Sequence, residues 1–123
     1  MIGTVVDEFS FAVEAGKVRE FARAIGAAGE SVPLTFSVVA GHYRDARAAV
    51  EKLGLDIRRV VVGEVEWEYA RPLVVGDVLH GRRVVAGVRE SKGMTFVTLE
   101  TEFRDGAGDA ALRQREVLIE TGP

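Results

Sequence analysis

The sequence predicts an α+β protein, with a helical first half followed by strands that form one long, curved antiparallel sheet wrapped around a central helix. Two segments ahead of Gly54 repeat apolar residues every three or four positions, whereas after Asp56 the apolar period is two. Short stretches rich in Gly and Asp, of hairpin length, separate the later strands. Because helices and strands are segregated, alternating βαβ units are excluded.

Phe9, Phe11 and Val13 alternate with polar or small residues, which predicts a short first strand. Val18, Phe21, Ala22 and Ile25 then share one helical face, so Glu14 to Ala27 is expected to be amphipathic, ending at Gly26 and Gly29. Ser31 to Ala40 contains Pro33, Leu34, Phe36, Val38 and Val39 and reads as a buried connection. From Gly41 to Leu53 the residues Tyr43, Ala46, Ala49, Val50 and Leu53 predict a second helix that Gly54 stops, and its alanines suit close packing on the sheet.

Val65, Trp67 and Tyr69 share one face of the next strand, and Glu64, Glu66 and Glu68 make the other face acidic and wet. Arg71 and Pro72 interrupt it, and Gly76 with Asp77 supplies turn chemistry. Val78 to Arg89, Met94 to Arg104 and Ala110 to Glu120 follow as strands, joined through Glu90 to Gly93 and Asp105 to Asp109. In Met94 to Arg104, Val97, Leu99 and Phe103 face one way, and Phe96, Thr98, Glu100 and Glu102 the other.

With 123 residues the chain forms one domain, residues 1–123, and 47% apolar residues are ample for a core. Sixteen basic against 19 acidic residues leave a net charge of −3, and the basic residues do not cluster, so nothing favours nucleic acid as a partner. The absence of cysteine excludes disulfides, thiolate catalysis and Cys-ligated zinc, and two widely separated histidines leave no metal site in prospect. No basic start precedes an apolar run at the N-terminus and no stretch approaches membrane-span length, so a soluble cytoplasmic protein is expected, with no membrane partner.

The run Arg59-Val-Val-Val-Gly-Glu-Val-Glu-Trp-Glu-Tyr69, continued by Ala70-Arg-Pro-Leu-Val-Val-Gly-Asp77, resembles the "(H)GE…(F/Y)…RPL…GD" signature of the N-terminal MaoC-like dehydratase domain, also called the FAS1-like dehydratase domain. Upstream, Val18-Arg-Glu-Phe-Ala-Arg-Ala-Ile-Gly26 and Leu34-Thr-Phe-Ser-Val-Val39 stand where that family has its "FA.A.G" helix and "P.TF…V" segment. The resemblance covers nearly the whole chain. It implies a single hot dog fold, and chemistry on acyl thioesters of CoA or a carrier protein without a cofactor: reversible addition of water to a trans-2-enoyl thioester, giving an (R)-3-hydroxyacyl thioester.

In active members the resemblance places an Asp and a His after the first helix, in "GD.NP.H", to hold and activate the water. Here Ala27, Ala28, Gly29 and Glu30 follow Gly26, no histidine occurs before His42, and Val62 stands where a histidine often precedes the Gly-Glu pair. Alanine moves no proton, so the resemblance implies a substrate-shaping, non-catalytic subunit with no catalytic residue of its own. Its partners would be the acyl thioester and a second hot dog subunit that supplies the Asp and His, in a hetero-oligomer or, on the alternative reading, a homodimer. The alternatives are a self-sufficient homodimeric hydratase or thioesterase using carboxylates such as Glu64 or Asp45, and a catalytically silent acyl-thioester binding module.

The substrate-binding or site-shaping candidates are Gly63, Glu64, Trp67, Tyr69, Arg71, Gly76 and Asp77. Glu64, buried or half-buried beside Gly63, could orient a partner's catalytic group, although a solvated carboxylate on the acidic face is the commoner outcome. Arg71 and Asp77 could shape a turn near the thioester or simply bracket Pro72 and Gly76. Trp67 and Tyr69 suit core or interface packing, with acyl-chain lining as the sharper reading. His42 and Asp45 share a helical face but read more simply as a cap and a surface charge. His80 reads as a plain strand position. Arg82, Arg83, Arg89 and Lys92 could attract a CoA or carrier phosphate but are expected to be solvated, Arg82 and Arg83 on opposite faces.

Overall fold

The computed structural model describes residues 1–27, 31–43 and 45–122, with the backbone alone for residues 41–43. Strand β1 spans Val5–Ala12 and helix α1 Ala15–Ala24; a 3-10 helix over Phe36–Tyr43 leads to α2, Ala46–Lys52, and a short 3-10 turn, Ile57–Arg59, precedes the remaining strands. These are β2 (Val60–Tyr69), β3 (Val78–Ser91), β4 (Met94–Arg104) and β5 (Ala110–Glu120). All pairings are antiparallel and the order across the sheet is β1-β3-β4-β5-β2. The α+β segregation and the single sheet are as expected. Among the described residues no helix is long and apolar enough to cross a membrane.

The helical elements differ from their predicted extents for local reasons. Ile25 caps α1 and is 50% exposed, and Gly26 follows in the left-handed region, so the last turn of the predicted helix does not form. The segment from Gly41 to Tyr43 belongs to the 3-10 helix, and α2 starts only at Ala46, where the Asp45 carboxylate accepts the Ala48 N–H at 3.0 Å. Within the 3-10 helix Phe36, Ser37 and Ala40 are buried and Val38 faces outward, so this connection is buried on one side only. The first strand begins at Val5, four residues before the predicted alternation, because its register is broken by a bulge between Val5 and Asp7.

Register explains how the core is divided. Across the inner face, Asp7, Arg83, Thr101, Gln114 and Trp67 lie opposite one another in turn from β1 to β2. On one side of this polar row an apolar cluster joins Phe11, Leu79, Phe103 and Leu112 to Val18 of α1 and to Phe36 and Ala40 of the 3-10 helix. On the other side Val6, Val85, Leu99 and Leu118 pack under Ala49 and Leu53 of α2. Each half of the sheet is thus roofed by a different stretch of the helical layer.

The neighbouring inner row sets Phe9, Gly81 and Phe103 side by side, and the two rings meet edge to face with centroids 5.6 Å apart. A Cβ at Gly81 would overlap the Phe9 ring, so this strand position accepts only glycine without repacking. Gly81→Ala is expected to destabilise the protein by about 1–3 kcal/mol in urea unfolding. Gly87→Ala, whose added methyl meets only Thr98 Cβ at 3.9 Å, should change stability by less than about 0.5 kcal/mol.

Candidate functional site

The residues singled out from the sequence separate into distinct places. Gly63 lies in a bulge of β2, where register slips between Val62 and Glu64, and the Ile119 side chain covers the space a Cβ would take. Beyond the bulge Glu64 is in phase with Glu66 and Glu68, and all three side chains are exposed on the convex face. The solvated carboxylate expected on the acidic face is thus the reading the exposure matches, and the buried or half-buried one is not. Strand alternation turns Val65, Trp67 and Tyr69 to the half-buried face instead.

Trp67 and Tyr69 face the helical layer. The Trp67 indole N–H donates to Gln114 Oε1 at 3.2 Å, and the Tyr69 hydroxyl donates to the Leu34 carbonyl. Burial pushes the Tyr69 phenol above its ordinary pKa, with the Ser37 hydroxyl acting in the opposite direction. Tyr69 therefore ties the segment just ahead of the 3-10 helix to the edge of the sheet, while Trp67 bonds across to β5.

Arg83 is the residue that sequence reasoning misplaced. Its side chain is 8% exposed and lies on the inner face, where Nε and Nη2 donate to both oxygens of Asp7 at 3.1 and 2.7 Å and Nη1 donates to Glu116 at 2.9 Å. The available signal was the alternation Leu79, Gly81, Arg83, Val85, which puts the arginine in phase with core residues once Arg82 is taken as the exposed member. Burying a charge is costly unless it is paired, and here two carboxylates share one guanidinium.

Beside this network is a cavity of about 180 Å³, lined by Ser37, Val38, Ala40 and Ala46 of the helical layer and by Arg83, Gln114 and Glu116 of the sheet. Its upper wall is apolar except for the buried Ser37 hydroxyl, and its floor is polar. Arg83 already engages both nearby carboxylates, so the site offers hydrogen bonds and shape.

Arg71, Gly76 and Asp77 form a second cluster, in the β2–β3 connection. Arg71 binds Asp77 through two nitrogens at 2.9 and 3.1 Å and reaches Asp105 of the β4–β5 hairpin at 3.3 Å. Asp77 also accepts the Val74 N–H at 2.9 Å. Gly76, at φ +101°, donates its N–H to Val13, whose own N–H returns to the Asp77 carbonyl. The Arg71 guanidinium, helped by the Val74 N–H, holds the Asp77 carboxyl below its usual pKa against partial burial. Asp105 is held low first by the Asp109 N–H and then by Arg71. The cluster ties β1, β3 and the last hairpin together at one end of the sheet.

The other candidates are dispersed. Asp45 is the N-cap of α2, while the His42 side chain lies outside the described residues and its backbone belongs to the preceding 3-10 helix, so the pair does not share one helix. Ala28, Gly29 and Glu30 also lie outside the described residues. His80 Nδ1 is 2.9 Å from Ser10 Oγ on the convex face, and Arg89 lies 4.1 Å over the Phe96 ring.

Residues 26–114 match the family described as "FAS1-like, dehydratase domain region". A UPF0336 protein of Clavibacter michiganensis subsp. michiganensis is 35% identical over 123 residues, covering 86% of this chain and 83% of that protein. Among solved structures, the C-terminally truncated HadBC (3R-hydroxyacyl-ACP dehydratase) complex from Mycobacterium tuberculosis superposes with a TM-score of 0.76 at 21% identity, over 97% of this chain and 94% of that one. A MaoC-like dehydratase gives 0.80 at 24% identity, over 98% of this chain and 42% of that one. The structural likeness establishes a hot dog fold.

Arg83→Met should cost about 3–5 kcal/mol in urea unfolding, because it leaves Glu116 buried without its cation, and adding Glu116→Gln should recover part of the loss. Asp77→Asn should cost about 1–2 kcal/mol at neutral pH. Since folding depresses the Asp77 pKa, its contribution is present above the unfolded carboxyl value near 4 and is lost as pH falls through the folded value. Stability of wild type and Asp77→Asn should accordingly converge in acid, measured by unfolding at stepped pH.

Proposed function

The chain belongs to the FAS1-like dehydratase-domain family, and we propose that within it this protein is the non-catalytic, substrate-shaping subunit of an (R)-specific enoyl-thioester hydratase or 3-hydroxyacyl-thioester dehydratase. One observation carries the proposal: Gly26 is followed by Ala27 and Ala28 where active relatives of the resembling family have their acid. Ala27 is exposed just beyond α1 and has no group able to take a proton.

Hydration adds the water hydroxyl to C3 and a proton to C2 of the enoyl thioester, and dehydration reverses both transfers. This needs a base for the water, an acid for C2 and a donor that polarises the thioester carbonyl. On the proposed reading a second hot dog subunit supplies the Asp and His, and this chain supplies walls for the acyl group. The cavity lined by Ala40, Ala46 and, on its open side, Val38 supports that role, since these apolar side chains suit an acyl chain while the Ser37 hydroxyl and the Gln114 amide can orient it. Existence of the HadBC dehydratase as a complex is consistent with two chains sharing the work. A self-sufficient enzyme built on Glu64 is disfavoured by the exposure of that carboxylate on the convex face, away from the cavity.

Purification of the chain from its native host with its associated hot dog subunit tests the reading. The chain alone should leave crotonyl-CoA unchanged and the pair should hydrate it, followed by loss of enoyl absorbance; turnover by the chain alone sinks the proposal. In the active pair Val38→Trp, which crowds the open side of the cavity, should raise KM for longer trans-2-enoyl-CoA substrates about tenfold or more while leaving kcat for crotonyl-CoA nearly unchanged.

A further inference from the structure

Buried polar side chains are almost always hydrogen-bonded, so one that is not marks a place where a ligand or water can bind. Among the described residues two buried side-chain oxygens lack a partner, Ser37 Oγ and Thr101 Oγ1, and each residue is 1% exposed. Thr101 sits between Arg83 and Gln114 in the polar row of the sheet. Ser37 belongs to the 3-10 helix and lies in the wall of the cavity of about 180 Å³, across from Arg83, Gln114 and Glu116. The nearby Tyr69 phenol donates its proton to the Leu34 carbonyl, and Ser37 is left without a hydrogen bond of its own. Shutting a hydroxyl away from water unpaired is costly unless something else pairs with it.

The floor has complementary capacity. Gln114 Oε1 accepts the Trp67 N–H at 3.2 Å, which leaves the amide NH2 free to donate, with no acceptor among the described residues. Glu116 Oε1 accepts Arg83 Nη1 at 2.9 Å, and its second oxygen receives no hydrogen bond from the described residues. The cavity thus presents the Ser37 hydroxyl and the Gln114 amide as donors and the Glu116 carboxylate as a strong acceptor. The matching group both accepts and donates, as an alcohol does; a ketone only accepts, and an alkyl end does neither. Charge narrows the choice further. Asp7 and Glu116 share the one guanidinium of Arg83, so the network carries an excess negative charge that repels a carboxylate. An ammonium would face that guanidinium in the same wall.

On the reading of this chain as the substrate-shaping subunit, we propose that the cavity selects acyl thioesters that carry a hydroxyl along the acyl chain, beyond the reacting carbons. Ser37 and Gln114 donate to that hydroxyl and Glu116 accepts from it, while Ala40, Ala46 and Val38 hold the neighbouring methylenes. The three polar residues set specificity and touch no reacting atom. Selection comes from rejecting the alkyl analogue, which would leave the same buried polar atoms unpaired.

Binding is read without turnover, by isothermal titration calorimetry of saturated acyl-CoA ligands with the chain alone and with its associated hot dog subunit. Over a series of chain lengths, the hydroxyl-ended ligand is compared with methyl-ended, keto-bearing and carboxyl-ended ligands of the same length. At the length that reaches the cavity, the hydroxyl ligand should bind at least about tenfold tighter than the methyl-ended one and about threefold tighter than the keto-bearing one. Ser37→Ala should cut the hydroxyl-over-methyl ratio about threefold or more without lowering the urea midpoint, because the hydroxyl it removes has no partner in the free protein. A purely structural serine gives the reverse, a lower midpoint with an unchanged ratio, and that result overturns the proposal. Equal affinities for hydroxyl- and methyl-ended ligands at every length overturn it too, and assign the unpaired oxygen to bound water. So does a preference confined to (R)-3-hydroxyacyl-CoA, which assigns the site to the hydroxyl of the reaction itself, and so does tighter binding of the carboxyl-ended ligand. The ligand comparison on the wild-type chain decides the matter even where the variant does not fold. If the pair hydrates crotonyl-CoA yet ignores the distal hydroxyl, only this inference falls. If the chain alone turns over crotonyl-CoA, the subunit reading falls and the ligand comparison still decides what the cavity binds.

Discussion

The buried guanidinium of Arg83 is the constraint around which the sheet is organised. It reaches Asp7 on β1 and Glu116 on β5, so it ties strands on either side of β3 and β4 across the concave face. A charge so enclosed is tolerated because every neighbouring carboxylate is spent on it, and the same pairing prevents those carboxylates from being left alone. Because the pairing is fixed in register, the polar row it anchors divides the apolar core and obliges the helical layer to roof the halves separately.

That division accounts for the shape of the candidate site. Where the 3-10 helix gives way to α2, the roof passes from one apolar cluster to the other and crosses the polar row, and there a cavity remains between Val38, Ala46 and the Arg83–Glu116 pair. Tyr69 and Trp67 hold the roof and floor of this region in place through Leu34 and Gln114. The charged groups enclosed there, Arg83, Asp7 and Glu116, satisfy one another. The convex face repeats the pairing in solvent, as Glu8–Arg82 and Glu68–Arg113, where such pairs contribute little to stability.

Strands β4 and β5 were legible to the residue, because uninterrupted alternation and hairpin loops of defined length leave little freedom in their bounds. The helices were less so. Whether Gly41 to Tyr43 begins an α-helix or ends a 3-10 helix depends on the Asp45 cap and on Phe36 finding its pocket, and neither can be read from an apolar period. The Arg71–Asp77 pair was visible from its position around Pro72 and Gly76, but its third member, Asp105, comes from a distant hairpin. Arg83 reads as solvated from the sequence because a charged residue in a strand ordinarily is, and its partners lie 76 and 33 positions away.

By itself the sequence determined the fold class, the strand periodicity, the acidic face of β2 and the alanines that directly follow Gly26, all of which depend on residue type and near-neighbour spacing. The tertiary structure decided which of Arg82 and Arg83 is buried, that Gly63 lies in a bulge covered by Ile119, and that the site candidates occupy separate regions of the sheet. These outcomes depend on register between strands distant in sequence. A shift of a single residue exchanges the faces of a strand, and only the assembled sheet selects which shift occurs.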